Sequence, residues 1–362
     1  MVVAVGAVTA VGLSAPETAA SLRAGVRRLR ESRLVDLYFA PITLAELPDE
    51  GLADLVDGVD SATEDGVVPG GRERRLLRLA AMPLAEVLRV MPRDVVPPPI
   101  AIALPGRPPA PDAAQPIDGR WFPARLAMQL AALGGGTFDV TASRAVGHGR
   151  AGGLVALERA AAAVRSGAAP FAIAGGVDTF RDARLLHAYD RIGRLKTERR
   201  GDGFLPGEGA AFVLLAAVAA AERATLAPLA WIAPVVTGTE DGHFWSDTPY
   251  RGEGLAAAVA GALDAAAITP AAPVEEVYVS MNGEHYWAKE WSVAQLRQSD
   301  RFAPDHAMHH PAEGIGDTGA AWAPLAVGLA ALGMRDGYRA SPSLVYASSD
   351  DGLRAAVVVR GA

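Results

Sequence analysis

The feature that most restricts the fold of this chain is the alternation of short apolar runs with longer, mostly Ala-rich segments. Several of the apolar runs have no polar residue at alternate positions, which is typical of strands covered on both faces. Strands are predicted at Val2–Val5, Ile100–Leu104, Phe171–Ala174, Ala211–Leu215, Ala230–Val236, Val277–Met281, Leu344–Ala347 and Ala355–Val359. Helices are predicted at Ala15–Leu29, Glu73–Val90, Pro123–Leu133, Ala151–Ser166, Leu255–Ala266 and Ala320–Leu332. This order predicts a layered α/β fold.

The length of 362 residues suits two or three core units. The chain divides best near residues 220–228, so we place the boundary between its two halves there. We predict an N-terminal half at 1–225 and a C-terminal half at 226–362. Sequence identity between the halves is too weak to count as a repeat.

Composition excludes several classes of protein. Lys and Arg total 34 against 41 Asp and Glu, a net charge of −7, and the basic residues are scattered, which argues against nucleic-acid binding. The chain contains no cysteine, so disulfides, cysteine metal sites and thiol nucleophiles are excluded. Its apolar runs are too short or too interrupted to span a membrane. We expect a cytoplasmic protein with no membrane partner.

Two local motifs suggest ligand binding only weakly. Residues 147–152 fit the pattern Gly-x-Gly-x-x-Gly, but the strand before them is short and no acidic residue follows at the usual distance. His306, His309, His310 and Glu313 lie close in sequence, yet Pro304 and Pro311 disfavour a regular helical display of metal ligands. We therefore predict no cofactor and no metal, and interpret the histidine segment as a solvated loop.

Ser143 precedes a Gly-rich turn that leads into a long Ala-rich helix. The free N–H groups and dipole of such a helix stabilise developing negative charge, which makes Ser143 a candidate nucleophile. His148 is five residues further on, and helical geometry would turn it away from Ser143. We interpret His148 as a packing or capping residue.

Taken together, several segments resemble the β-ketoacyl synthase branch of the thiolase-like superfamily. The most specific is Asp202–Ala211, which is close to the Asp-Gly-Phe…Gly-Glu-Gly-Ala signature of that family. The other segments are Val5–Gly12 with Thr18–Gly25, Ala174–Asp178, Arg251–Gly283 and Ile315–Ala321. The resemblance implies a five-layered αβαβα fold of two related halves with mixed sheets. It also implies a homodimer, since the family pairs through its N-terminal half.

The resemblance further implies a Cys at the N-terminus of a buried helix and two assisting histidines, but this chain departs from the family at each position. Ser143 aligns with the Cys, Asn282 with the first His and Gly316 with the second, beside Asp317 and close to Glu313. A serine hydroxyl normally needs an adjacent base, which Asn282 cannot supply. The chain is therefore predicted to lack the condensing machinery.

Three interpretations of function stay open at this stage. We favour a non-catalytic accessory or adaptor protein. Segments 282–291 and 348–354 resemble ketosynthase-like proteins associated with type VI secretion, and this resemblance implies effector or adaptor proteins as partners. One alternative is an acyltransferase or thioester hydrolase that uses Ser143, with His285 as base assisted by Glu313 or Asp317 and Asn282 as a hydrogen-bond donor. The other is a subunit like a chain-length factor that binds an acyl carrier protein.

Overall fold

The computed structural model describes residues 1–92, 94–115 and 117–362. The helices are α1 (Ala15–Arg23), α2 (Gly71–Leu88), α3 (Phe122–Ala132), α4 (Gly152–Arg165), α5 (Ala183–Arg191), α6 (Val218–Arg223), α7 (Glu253–Ala265), α8 (His285–Arg297), α9 (Ala312–Ile315) and α10 (Trp322–Arg335). The strands are β1 (Val2–Thr9), β2 (Arg30–Val35), β3 (Pro41–Leu44), β4 (Pro99–Ala103), β5 (Asp139–Val146), β6 (Phe171–Thr179), β7 (Glu208–Ala216), β8 (Ala230–Ile232), β9 (Val236–Thr239), β10 (Val274–Tyr278), β11 (Phe302–His309), β12 (Ser343–Ser348) and β13 (Leu353–Gly361).

The main sheet consists of two mixed halves with the same strand order. The first half is ordered β5-β4-β6-β7-β1 and the second β11-β10-β12-β13-β8, while β9 adds to β13. In each half the first three strands are parallel and the last two pair antiparallel. Antiparallel pairing of Val2 with Ala230 joins the halves. The shared order and directions confirm the predicted fold of two related halves.

The helices form three layers around the two half-sheets. One apolar cluster joins α4 and α10 to strands of both halves, so these two helices form the central layer. A second cluster packs α2 and α3 on the N-terminal half-sheet, and a third packs α7 and α8 on the C-terminal half-sheet. The result is the five-layered αβαβα arrangement. The predicted boundary between residues 225 and 226 falls between α6 and β8, and it stays a prediction.

Small residues allow the central layer to pack closely. A Cβ on Gly153 of α4 would lie 2.6 Å from Cδ of Pro324 in α10, and a Cβ on Gly176 of β6 would lie 2.0 Å from the carbonyl oxygen of Ala320. Such distances are shorter than van der Waals contact, so glycine is required for this approach. The Ala-Gly-Gly segment thus fixes where the turn before α10 lies against β6.

Two segments differ from the sequence-based expectations. Residues 302–309 form β11, paired in parallel with β10, so the expectation of a solvated loop was wrong for His306 and His309. Burial of Phe302 and the tertiary pairing with β10 override the weak local signal. Residues 139–146 form the full edge strand β5, which the sequence indicated only in part. In the described ranges, no helix is long and apolar enough to cross a membrane.

An ion-pair cluster at the candidate active site

Arg150 occupies the start of the central helix. It lies in a short 3₁₀ turn, Gly149–Ala151, directly before α4, and it is 7% exposed. This is the kind of position where the family resemblance expects a nucleophile. The positive end of the helix dipole disfavours a cation there. Arg150 is therefore stable in this place only if neighbouring groups compensate its charge.

Two carboxylates supply that compensation. The Arg150 guanidinium donates from Nη1 to Oδ2 of Asp317 at 2.6 Å and from Nη2 to Oδ1 of Asp350 at 2.8 Å. Its Nε donates to the Ser348 carbonyl oxygen at 2.9 Å. Burial alone would lower the pKa of Arg150, but Asp317 and Asp350 together raise it above its usual value. Arg150 is thus a permanent cation with all three guanidinium nitrogens bonded.

Asn282 and Asp317, both predicted as site residues, meet beside Arg150. The Asn282 side-chain amide donates to Oδ2 of Asp317 at 2.7 Å and to Oε2 of Glu284 at 3.1 Å. The other oxygen of Asp317 accepts the backbone N–H of Gly319 at 2.8 Å. Asn282 follows strand β10, and Asp317 precedes α10, so the fold brings them together from separate layers. Both are buried.

Arg194 closes the other side of the site. Its guanidinium forms a paired contact with Glu284, at 2.7 and 2.8 Å, and donates to Oδ2 of Asp350 at 2.6 Å. Burial would raise the pKa of Asp350, but Arg194 and Arg150 outweigh it and hold that pKa below its usual value. We call Arg150, Arg194, Asn282, Glu284, Asp317 and Asp350 the Arg150 cluster.

Aromatic side chains cover the Arg150 cluster. The Trp287 ring lies 4.7 Å from the Arg150 guanidinium carbon, and its Nε1 donates to Oε2 of Glu284 at 2.9 Å. Phe244 packs against Trp287 and lies 3.8 Å from the Arg194 guanidinium carbon. Cation–π contacts of this kind stabilise buried guanidiniums. Trp287 therefore fills space next to the start of α4.

The space left beside the cluster is small. A cavity of about 40 Å³ is bordered by Arg150 and Asp350 on one side and by Arg72 and Asp178 on the other. Such a volume holds only one or a few waters. Arg72 donates to Asp178 at 2.9 Å, yet burial raises the pKa of Asp178 to about 6. The described residues contain no group of three or more potential metal ligands at coordinating positions.

Ser143 lies elsewhere. It is buried in edge strand β5, where its hydroxyl donates to the Asp139 carbonyl oxygen at 2.5 Å and accepts the backbone N–H of Ile100 at 2.9 Å. Its expected position at the helix N-terminus was wrong, because β5 continues to Val146 and α4 begins only at Gly152. The Thr-Ala-Ser segment therefore lies within β5, before the turn that holds Arg150.

The structure does not bring the other proposed partners to Ser143. The side chain of His285 is 86% exposed at the start of α8, with Nδ1 3.4 Å from Oδ2 of Asp202. Glu313 is exposed and forms an ion pair with Arg27 at 3.3 Å. The geometry of a Ser143–His285 pair assisted by Glu313 is therefore absent from the described residues.

His148 makes a contact between two segments; its side chain forms no capping hydrogen bond to the turn after it and is about half exposed, so the interpretation as a packing or capping residue stays a prediction. It directly precedes the turn that carries Arg150, and its Nδ1 lies 2.9 Å from Oδ2 of Asp351. This hydrogen bond with Asp351 raises the pKa of His148. The contact ties the 348–352 segment to the start of α4.

Comparison with known proteins supports the predicted fold. Residues 122–221 match the family described as β-ketoacyl synthase, N-terminal domain. No curated protein matches the chain in sequence. The matched segment includes α3, α4 and the Asp202–Ala211 signature, so it covers the start of the central helix.

Solved structures extend the likeness over the whole chain. The ishigamide ketosynthase/chain length factor is 18% identical with a TM-score of 0.76, covering 100% of this chain and 98% of its own. A type II acyl-carrier protein complex with its ketosynthase is 16% identical with a TM-score of 0.76, covering 100% and 98%. The oxazolomycin ketosynthase domain from Streptomyces albus JA3453 is 18% identical with a TM-score of 0.75, covering 100% and 73%. The chain therefore has a ketosynthase-like, thiolase-type fold.

We predict that Asp350→Asn lowers the free energy of unfolding by about 3 kcal/mol at neutral pH, because it leaves two buried guanidiniums short of a counter-charge. The depressed pKa of Asp350 makes its stabilisation fully present above its unfolded pKa of about 4, and lost as pH falls through the lower folded value. The difference in free energy of unfolding between wild type and Asp350→Asn should therefore become smaller below about pH 4. Urea denaturation of both proteins at a series of pH values measures this difference.

Asp247→Asn is the matched control, since Asp247 is exposed and has no ion-pair partner among the described residues. It should change stability by less than about 0.5 kcal/mol. Equal stability of Asp350→Asn and wild type at neutral pH would contradict the role given to Asp350.

Proposed function

We propose that this chain is a non-catalytic ketosynthase-like protein that acts by binding other proteins. The Arg150 cluster is the observation that carries the proposal. A buried, fully bonded guanidinium stands at the start of the central helix, and an amide and carboxylates surround it. A guanidinium that stays protonated is neither a nucleophile nor a base.

The chemistry of acyl transfer supports the same conclusion. Such a reaction needs a nucleophile, a base within hydrogen-bond reach and room for the acyl group. Asn282 is neutral and already donates to two carboxylates. The cavity of about 40 Å³ that borders Arg150 and Asp350 is too small for an acyl chain, and the larger cleft of about 570 Å³ that shares Arg72 and Gly106 with it is not lined by Arg150 or Asp350. The hydroxyl of Ser143 is engaged within the β4–β5 edge, so nothing in the geometry favours the serine acyltransferase or hydrolase alternative.

One type of partner is another subunit of the same fold. Strand β5 ends the sheet, and its residues 140–142 are exposed. The Ala142 N–H and the Thr141 carbonyl oxygen bond only local side chains, those of Asp139 and Arg144, which a partner strand would displace. A second copy of the chain, giving a homodimer, is the occupant that we propose for this edge.

A related function is that of a subunit that pairs with an active ketosynthase and contacts an acyl carrier protein. The names of two similar structures favour it: one pairs a ketosynthase with a chain length factor, and the other contains an acyl-carrier protein with its ketosynthase. A role as a secretion adaptor rests on the two short resemblances at 282–291 and 348–354. We also propose that the protein is cytoplasmic.

We predict that the protein forms no covalent adduct with acyl-CoA or acyl-carrier thioesters and does not consume them, because the site lacks a nucleophile. Intact-protein mass spectrometry of wild type and Ser143→Ala, with an active ketosynthase as positive control, measures this. An adduct in wild type that disappears in Ser143→Ala would overturn the proposal in favour of serine chemistry. An adduct in both variants would overturn it in favour of a different nucleophile.

We predict a homodimer in solution that pairs through β5. Light scattering coupled to size-exclusion chromatography should give twice the chain mass of 37.4 kDa for wild type. Val140→Lys should give the monomer mass, since a lysine on an edge strand opposes strand pairing.

Val218→Lys is the control, because Val218 is equally apolar and 48% exposed but lies on α6. It should remain dimeric. A monomeric wild type, or a Val140→Lys variant that stays dimeric, would contradict pairing at this edge.

A further inference from the structure

A second cleft lies outside the Arg150 cluster, between helix α1, the end of β11 and the turn after α10. It has a volume of about 260 Å³. Basic and aromatic side chains dominate the polar part of its lining, which includes Arg23, Arg27, Tyr278, His309, Tyr338 and Arg339. Nothing in the proposed function uses this cleft.

Two arginines in the cleft approach the same aromatic ring. The guanidinium carbon of Arg23 lies 4.5 Å from the centre of the Tyr338 ring, and that of Arg339 lies 5.7 Å from it. Two cations held near one ring repel each other unless a negative charge lies close to both. The cleft therefore concentrates positive charge around Tyr338.

Neither guanidinium has a hydrogen-bonded carboxylate within the part of the chain that is described. The nearest approach is Nε of Arg339 to Oε2 of Glu276 at 3.9 Å, which is too long for a hydrogen bond. By contrast, Arg150 and Arg194 in the Arg150 cluster are each bonded to carboxylates. The donors of Arg23 are thus free to bind an anion from solution, and Arg339 has only the long ion pair with Glu276 beside its contact with the Tyr278 hydroxyl.

His309 supplies a fixed polar group in the same cleft. Its Nε2 lies 2.8 Å from Oε2 of Glu276, and its ring lies 4.6 Å from the ring of Tyr278. Oε1 of Glu276 accepts the backbone N–H of Ala340 at 2.7 Å, so the carboxylate is itself held in place. These contacts fix the imidazole and leave Nδ1 for a ligand.

The remaining charges in the lining do not neutralise the two arginines. Glu313 pairs with Arg27 at 3.3 Å, Glu276 with His309 at 2.8 Å, and Asp336, next to the cleft, with Arg335 at 2.6 Å. His310 also lines the cleft, and burial lowers its pKa, so it is neutral at neutral pH. The positive charge of Arg23 therefore stays available, and that of Arg339 is only partly offset by Glu276 at 3.9 Å.

We propose that this cleft binds a small organic anion, with a carboxylate or phosphate group between Arg23 and Arg339 and a polar substituent against His309. Guanidinium donors match both groups in geometry and charge. The volume lies just below the range of pockets for larger ligands, which favours a compact, hydrophilic molecule over an acyl chain. The site is independent of the proposed protein-binding function.

Isothermal titration calorimetry at low ionic strength tests the proposal with three probes: glycerol 3-phosphate, citrate and glycerol. We expect saturable one-to-one binding of at least one of the two anions and none of glycerol. Binding of the phosphate ester alone identifies a phosphate ligand, and binding of citrate alone identifies a carboxylate ligand. Absence of binding by both anions up to about 10 mM would overturn the proposal.

The double variant Arg23→Gln/Arg339→Gln should bind the anion at least about tenfold more weakly. Arg223→Gln removes one charge at an exposed position on α6, as Arg23→Gln does in the cleft, and its affinity should equal that of wild type. Equal affinity of the double variant and wild type would overturn the proposal. If the double variant fails to fold, the affinity of Arg23→Gln alone tests the site, because Arg23 is exposed and its replacement should not disturb folding. An unchanged dissociation constant for that single variant would count against the site.

Discussion

A guanidinium buried at the N-terminus of a helix is unfavourable in two ways: it loses its hydration, and it faces the positive end of the helix dipole. Arg150 occupies such a position at the start of α4, in the central layer of the fold. Its contacts with Asp317 and Asp350 offset both costs. Because these carboxylates come from distant parts of the chain, the charge of Arg150 links the start of α4 to the segments around it.

The fold explains why these segments meet. In each half-sheet, parallel strands direct their carboxyl ends to the same side, which is where α/β folds assemble sites. Asn282 follows β10, and Asp350 follows β12, its parallel neighbour. In the other half, the turn after β5 delivers Arg150. The region at the carboxyl ends of these strands is thereby filled by ion pairs and hydrogen bonds, and Trp287 covers it.

The sequence predicted the architecture well because its strongest signals are local. Unbroken apolar runs gave most strands of the two half-sheets, and the Asp202–Ala211 signature pointed to the fold. Strand β11 was missed because its residues 304–309 are only partly buried or exposed, and its pairing with β10 is visible only in three dimensions. The exposed edge strand β5 was underestimated for the same reason.

The site was predicted only in part. Asn282 and Asp317 were identified because they lie within the family-like segments Arg251–Gly283 and Ile315–Ala321, and the structure brings them together. Arg150 and Arg194 were missed, since a single arginine beside a Gly-rich turn or a helix end carries no pattern that distinguishes it from a surface residue. Their role depends on partners more than 90 residues away, such as Asp350. Ser143 was misplaced because the lengths of β5 and the following turn are not fixed by the sequence motif.

A double-mutant cycle between Arg150→Met and Asp317→Asn, measured as free energies of unfolding in urea, tests the central claim most directly. If the buried pair is a structural link, each single variant should be destabilised, and the two effects should be coupled by about 2 kcal/mol. The double variant should then be much less unstable than the sum of the single effects. Additive effects within about 0.5 kcal/mol would contradict a stabilising Arg150–Asp317 contact at the centre of the fold.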